Sequence, residues 1–186
     1  MLENIQVYDG KLEDHALHKA IIAAETSHSY YPFHQAGDGS GFKYSWQIYF
    51  PEANIKEFAS PEIKALWWDV QKFLPDGSTL RKCYINAHQY GVEDTIHQDD
   101  TWINKGKTVI VYLTRGWFPD WGGSTMFFSG QDRSSPASSM DIEKCVLPKY
   151  NRFVIFDKDI YHCAGLVSRK FTGLRLTCMF KVEIPE

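Results

Sequence analysis

From about residue 80 to the C-terminus, the spacing of the apolar residues constrains the fold more than any other feature of this chain. The run Thr108-Val-Ile-Val-Tyr-Leu-Thr114 is uncharged, rich in β-branched and aromatic residues, and too short for a buried helix. It predicts a strand buried on both faces. Residues 80–90, 124–128, 144–147, 152–156 and 174–182 form further short runs with a period tending to two, divided by Gly, Pro, Asn and Asp. A succession of such strands points to a β-sandwich or jelly roll.

The first eighty residues have a different texture. Leu12, His15, Ala16, Ala20 and Ala23 recur at helical spacing after Asp9-Gly10. A second helix is marked by Ser60 as N-cap, Pro61 at the first helical position and a stripe of Ile63, Leu66, Trp67, Val70 and Phe73-Leu74. Pro75-Asp76-Gly77 stops it, and between the helices a glycine loop, Gly37 to Gly41, precedes a strand-like run over 44–50. The expected class is therefore mainly β with flanking helices (α+β), the helices packed on one sheet. We expect one domain over 1–186, with a helical N-terminal part and first strands over 1–79 and a β core over 80–186. Residues 129–141, rich in Ser, read as a mobile surface loop.

Charge and cysteine usage narrow the function classes. With a net charge of -3 and no Lys/Arg cluster, the chain lacks the footprint of a nucleic-acid binder. No apolar run approaches membrane-spanning length and no N-terminal signal sequence is evident, so a cytoplasmic protein without a membrane partner is expected. Four cysteines without a CxxC pair suit free thiols in a reducing compartment. Aromatic residues make up 15%, which fits a β-rich fold or an aromatic-lined cleft.

The chemistry-bearing candidates lie in the β half. His97 and Asp99 are two apart, so on an extended segment both side chains project to one side and can reach one metal ion. Asp100 would point the other way. His162 follows the 152–156 strand, at the rim of the β structure. Two imidazoles and a carboxylate on one face of an iron leave positions open for a co-substrate and dioxygen. Arg175 stands in an apolar strand between Leu174 and Leu176, where a charge is almost never buried unpaired. With Thr177 on the same face it can hold a carboxylate, and its planar fork suits a dicarboxylic acid. The alternatives are a solvated turn at His97, a core histidine beside Cys163 and a structural ion pair for Arg175. His88 has no acid two positions on, and His15, His18, His28 and His34 fall in the helical half with no downstream arginine in register.

Taken together, these stretches resemble the Fe(II)/2-oxoglutarate-dependent oxygenases, and within them the prolyl-hydroxylase-like group. The resemblance runs from Arg81-Lys-Cys-Tyr84 to Phe180-Lys181. It passes through His97-Gln-Asp99, Val111-Tyr-Leu-Thr-Arg-Gly-Trp117, Trp121-Gly-Gly-Ser124, Pro148-Lys-Tyr-Asn-Arg-Phe-Val-Ile-Phe-Asp157, His162 and Gly173-Leu-Arg-Leu-Thr177. It implies a double-stranded β-helix core of the jelly-roll or cupin kind. It implies that His97, Asp99 and His162 bind Fe(II). Arg175 would hold the distal carboxylate of 2-oxoglutarate, with Tyr112, Tyr84 and Thr177 around the co-substrate. Some branches use lysine for that carboxylate, but Lys170, just before Phe171-Thr-Gly, suggests a hairpin loop. The implied reaction consumes 2-oxoglutarate and O2, releases succinate and CO2 and hydroxylates an unactivated C–H bond, with ascorbate in a supporting role. Asp99 favours hydroxylation, because halogenating members replace the carboxylate by a small residue.

The substrate implied first is a prolyl residue of a peptide or protein, and second a free amino acid or other small molecule. Trp102, Trp117 and Trp121, with Phe118, are candidates for contacting it, and the 129–141 loop for a lid. Two readings outside this class are a cupin-type metal dioxygenase that does not use 2-oxoglutarate, and a non-catalytic β-sandwich binding module. Arg175 separates the first, since such a cupin needs no dicarboxylate clamp.

Overall fold

Alternation along the strands divides this molecule into a helix-covered apolar layer and a second layer that is part apolar and part polar. The computed structural model describes residues 2–26, 31–33, 45–50, 61–92, 94–99, 103–130 and 137–186. The expected N-cap Ser60, the 37–41 glycine loop, Tyr44, Asp100, Trp102, His28 and His34, and residues 131–136 of the expected lid lie outside them. In chain order the elements are β1 (Ile5–Asp9), α1 (Asp14–Thr26), β2 (Tyr31–Phe33), β3 (Ser45–Phe50), α2 (Pro61–Val70), β4 (Thr79–His88), β5 (Gly106–Tyr112), β6 (Thr125–Phe128), β7 (Ile142–Val146), β8 (Arg152–Asp157), β9 (His162–Ala164) and β10 (Arg175–Glu183). Short 3-10 turns separate some of them.

A seven-stranded sheet runs β1-β8-β5-β10-β4-β3-β2, and a three-stranded sheet runs β7-β6-β9. All the pairings are antiparallel, so each strand shows one set of side chains to either face. On the outer face of the large sheet, Cys83, Ile85, Ala87, Val109, Val111, Phe153, Ile155, Cys178 and Phe180 form one core with Leu17, Ala20, Ile21 and Ala24 of α1 and Ile63, Leu66, Trp67 and Val70 of α2. Spacings of three and four put those helical residues on one stripe, which is what drives each helix onto the sheet. The Asp69 carboxylate of α2 accepts from the Glu13 backbone N–H at 3.0 Å and joins the start of α1 to α2. Asn151, with φ 58°, brackets the same entry, its amide side chain bonding the N–H and C=O of Leu12.

The inner face faces the small sheet. Ile5, Ile110, Val154, Phe156 and Met179 pack there against Phe127 and Val146 of β6 and β7. Further along the same face, the side chains turn polar: His88, Thr108, Arg175, Thr177 and Lys181 are all buried. A buried sheet face that changes from apolar to polar part-way along marks a site, because those groups have to be satisfied by something other than packing.

Candidate active site

Backbone pairing brings the two histidines together before any side chain acts. His97 N–H donates to the His162 carbonyl at 3.0 Å, and His162 N–H donates back to that of His97 at 2.9 Å. Asp99 N–H is held by the Lys158 carbonyl at 2.9 Å. The two-residue step from 97 to 99 then places the carboxylate beside both rings. His97 Nε2 lies 3.8 Å from Asp99 Oδ1, and His162 Nε2 lies 3.5 Å from Asp99 Oδ2. Ligand bonds of about 2.0–2.2 Å at right angles put neighbouring donors about 3 Å apart, so the two ring nitrogens and the carboxylate bracket an ion-sized gap.

The tautomers fit a metal. His97 Nδ1 lies 2.8 Å from the Thr95 carbonyl and His162 Nδ1 lies 2.9 Å from that of Ile160. A carbonyl can only accept, so each Nδ1 carries the proton and each Nε2 presents its lone pair to the gap. His162 is walled by Phe156 and Phe127. Burial is the main reason its pKa falls to about 4, which keeps the ring neutral and able to ligate. Burial alone would raise the Asp99 carboxyl. Lys181, His162 and His97 outweigh it and hold that group below the usual carboxylate range. The Asp94 carboxylate completes the loop, accepting from Ala164 N–H at 2.9 Å and lying 3.9 Å from His97 Nδ1.

Arg175 enters the same cavity, of about 170 Å³, from β10. Its Nε donates to the Gly123 carbonyl at 2.6 Å and its Nη2 to Thr125 Oγ1 at 3.3 Å. The guanidinium carbon lies 5.5 Å from the centre of the Tyr112 ring. Among the described residues no carboxylate forms an ion pair with it, so the structural ion pair weighed as the alternative for a buried arginine is not found there. The Tyr112 hydroxyl pairs with Thr125 Oγ1 at 2.6 Å and donates to the Val146 carbonyl at 3.3 Å. The distances fit one directional chain, in which Arg175 donates to Thr125, Thr125 to Tyr112, and Tyr112 to Val146.

The sequence-derived residues are thus placed unequally. His97, Asp99, His162, Arg175, Thr177 and Tyr84 all line one cavity. Tyr112 lies beneath Arg175 rather than on the cavity wall, with its phenol turned to Thr125 and Val146. Trp117 and Trp121 are not brought to the cavity. They cluster with Phe118 and Phe171, with ring centres 4.5–5.5 Å apart. Lys170 pairs with Asp120 on the exposed surface. Sequence reasoning missed Thr125, Asn86, His88, Thr108 and Lys181. Lys181 shares the parity of Arg175 and Thr177 along one strand, and Asn86 and His88 share that of Tyr84, so alternation counted outward from Arg175 and Tyr84 reaches these three.

Residues 83–181 match the family described as the 2OG-Fe(II) oxygenase superfamily. That match spans more than half of the chain, and the protein belongs to this family. Its cofactors are Fe(II) and 2-oxoglutarate, and it is a 2-oxoglutarate/Fe(II)-dependent oxygenase. A comparison with curated proteins gives no match. Among solved structures, a prolyl hydroxylase from Trichoplax adhaerens, in complex with a hypoxia-inducible factor oxygen degradation domain peptide, is similar with TM-score 0.68 and 13% identity, covering 96% of this chain and 83% of that one. A prolyl-4-hydroxylase from Pseudomonas putida is similar with TM-score 0.62 and 15% identity, covering 97% and 93%. HygX from Streptomyces hygroscopicus, with nickel and 2-oxoglutarate bound, gives 0.66 and 14%, covering 97% and 82%. At these identities the likeness speaks for the fold, a double-stranded β-helix with helices laid on the larger sheet. Among the described residues no helix is long and apolar enough to cross a membrane.

Proposed function

We propose that this protein hydroxylates an unactivated C–H bond in a 2-oxoglutarate-dependent reaction, and that a prolyl residue in a peptide or protein is its substrate. The observation that carries the proposal is Arg175, a buried guanidinium with no carboxylate partner among the described residues, in the same cavity as a His-Asp-His donor set. His97 Nε2, Asp99 and His162 Nε2 would hold Fe(II), and Arg175 would hold the far carboxylate of 2-oxoglutarate, with Thr125 and Tyr112 fixing the guanidinium and Thr177 beside it. When bound, the iron and 2-oxoglutarate supply oxygen activation, with succinate and CO2 as co-products. The protein orients the co-substrate between a cationic anchor and the ion, keeps the His162 imidazole neutral, and excludes water through Phe127, Phe156 and Met179. The intact carboxylate at Asp99 supports hydroxylation. Two prolyl hydroxylases among the similar structures support the substrate.

A second reading, a small polar molecule or free amino acid, is favoured by the polar side chains of Asn86, Gln47 and Lys82 in the lining of the same cavity, and by the tryptophans clustering away from it. Incubation with Fe(II), 2-oxoglutarate and either proline-containing peptides or free amino acids tests both. We expect succinate and a product one oxygen heavier with the peptides, and loss of both in His162→Ala. Turnover with free amino acids alone would replace the first substrate by the second. Succinate release undiminished in His162→Ala would remove the metal assignment.

A further inference from the structure

Lys181 is buried at 3% exposure on the cavity face of β10, where a charged amine is costly unless its surroundings compensate it. Its Nζ forms an ion pair with Asp99 Oδ2 and also donates to Thr108 Oγ1 at 3.3 Å. Thr108 in turn donates to the same oxygen of Asp99 at 2.5 Å. The side chain passes the Tyr84 ring, with Nζ 5.9 Å from its centre. Strand register makes this arrangement a property of the sheet: Lys181 lies opposite Thr108 on β5 and Lys82 on β4, and the pairing with β4 shifts immediately after Lys181. Two donors from two adjacent strands therefore meet on one oxygen of a carboxylate carried by a loop.

We propose that Lys181, with Thr108, is a positioning residue for the metal-binding carboxylate. The two donors fix Asp99 Oδ2, so the carboxylate meets the ion through Oδ1. This rests on the reading of His97, Asp99 and His162 as the metal ligands. The physical reasons are two. A carboxylate loaded with two donors on one oxygen has lost its freedom to rotate, which pre-sets the direction of its other lone pairs. An ammonium and a divalent ion repel each other, and that repulsion is smallest when each takes a different oxygen. Lys181 thus settles which oxygen ligates and opposes chelation by both.

Co(II) is the probe, because its visible absorption reports coordination number and geometry without turnover. The full chain is titrated as wild type, Lys181→Met, Lys181→Arg, Thr108→Val and His162→Ala, with circular dichroism confirming the fold of each. The expected result is a shift of the Co(II) bands in Lys181→Met, which keeps the side-chain length but lacks the charge. A smaller shift in the same direction is expected in Thr108→Val, and a return to the wild-type spectrum in Lys181→Arg. A purely structural ion pair would lower thermal stability and leave the spectrum of the loaded protein unchanged, and that result overturns the proposal. If Lys181→Met does not fold, a wild-type spectrum in Thr108→Val overturns it equally. Absence of Co(II) bands in the wild type, or their persistence in His162→Ala, is a different failure that removes the metal-site reading beneath it.

Discussion

At the scale of single residues, polar groups fixed by neighbours of definite donor or acceptor character dominate this site. Arg175 is the clearest case. Removing a charged partner that grips a carboxylate costs about 1.5–3 kcal/mol, so Arg175→Ala should weaken 2-oxoglutarate binding roughly ten- to hundredfold, read by anaerobic titration. Unchanged affinity would detach the arginine from the co-substrate. Thr125 is the relay between Arg175 and Tyr112, and Thr125→Val removes one hydrogen bond from each of these two buried partners. We expect about 1–3 kcal/mol lower stability in urea and weaker 2-oxoglutarate binding together. His88 gives a pH signature. Burial, and then the Arg175 charge, lower its pKa from 6.5 to about 4 against the opposing pull of Asp94. The unfolded chain takes up a proton near pH 6.5 while the folded chain declines it. Stability therefore falls as pH drops from 6.5 towards 4, by up to about 1.4 kcal/mol per pH unit from this ring. His162 is lowered in the same direction and contributes a similar slope, so His88→Gln should reduce, not abolish, the fall in urea-derived stability across that window, and an unchanged slope would refute the assignment. These relationships show where sequence stops. Arg175 was legible because a charge in an apolar strand demands a partner. Thr125 was not, because a threonine in a strand is ordinary until its neighbours are known.

At the scale of elements, the strands were read well because alternation and punctuation act locally. The expected runs over 108–114, 152–156 and 174–182 correspond to β5 at Gly106–Tyr112, β8 at Arg152–Asp157 and β10 at Arg175–Glu183. Three strands were missed. β1 and β2 lie in the half read as helical, and β9 has three residues, too few to show a period. β9 carries His162, so the proposed metal ligand expected at the rim of the β structure opens a strand there. Another connection is under tight steric control. Gly122 has φ +69°, and a Cβ built there would lie 2.5 Å from the Leu166 carbonyl oxygen. Gly122→Ala should cost more than about 1 kcal/mol in thermal or urea unfolding, because the backbone conformation and the contact are both unfavourable. Stability equal to wild type would show that the turn relaxes freely.

At the scale of the whole molecule, the proposed metal site joins the two sheets. His162 belongs to the small sheet, whereas Asp99 is held by Thr108 and Lys181 of the large one. An ion bound by both should slow amide exchange in β6 and β9 and raise the unfolding temperature. At a free ion concentration of a hundred times Kd the gain is about 2.7 kcal/mol. Mn(II) addition followed by hydrogen–deuterium exchange checks this, and protection confined to the large sheet would contradict it. The overall class, helices on one sheet of a β core, was legible from the change in period near residue 80. The division of the inner face into dry and polar zones was not, since it depends on which strands become neighbours. The reciprocal main-chain hydrogen bonds between residues 97 and 162 have a practical corollary. The bite of the site is set by main chain, so either imidazole can be exchanged for another donor without redrawing the scaffold. Sulfur or a further carboxylate at those two places would offer a different transition metal the same seat, which makes this protein a host for redesigned inorganic chemistry.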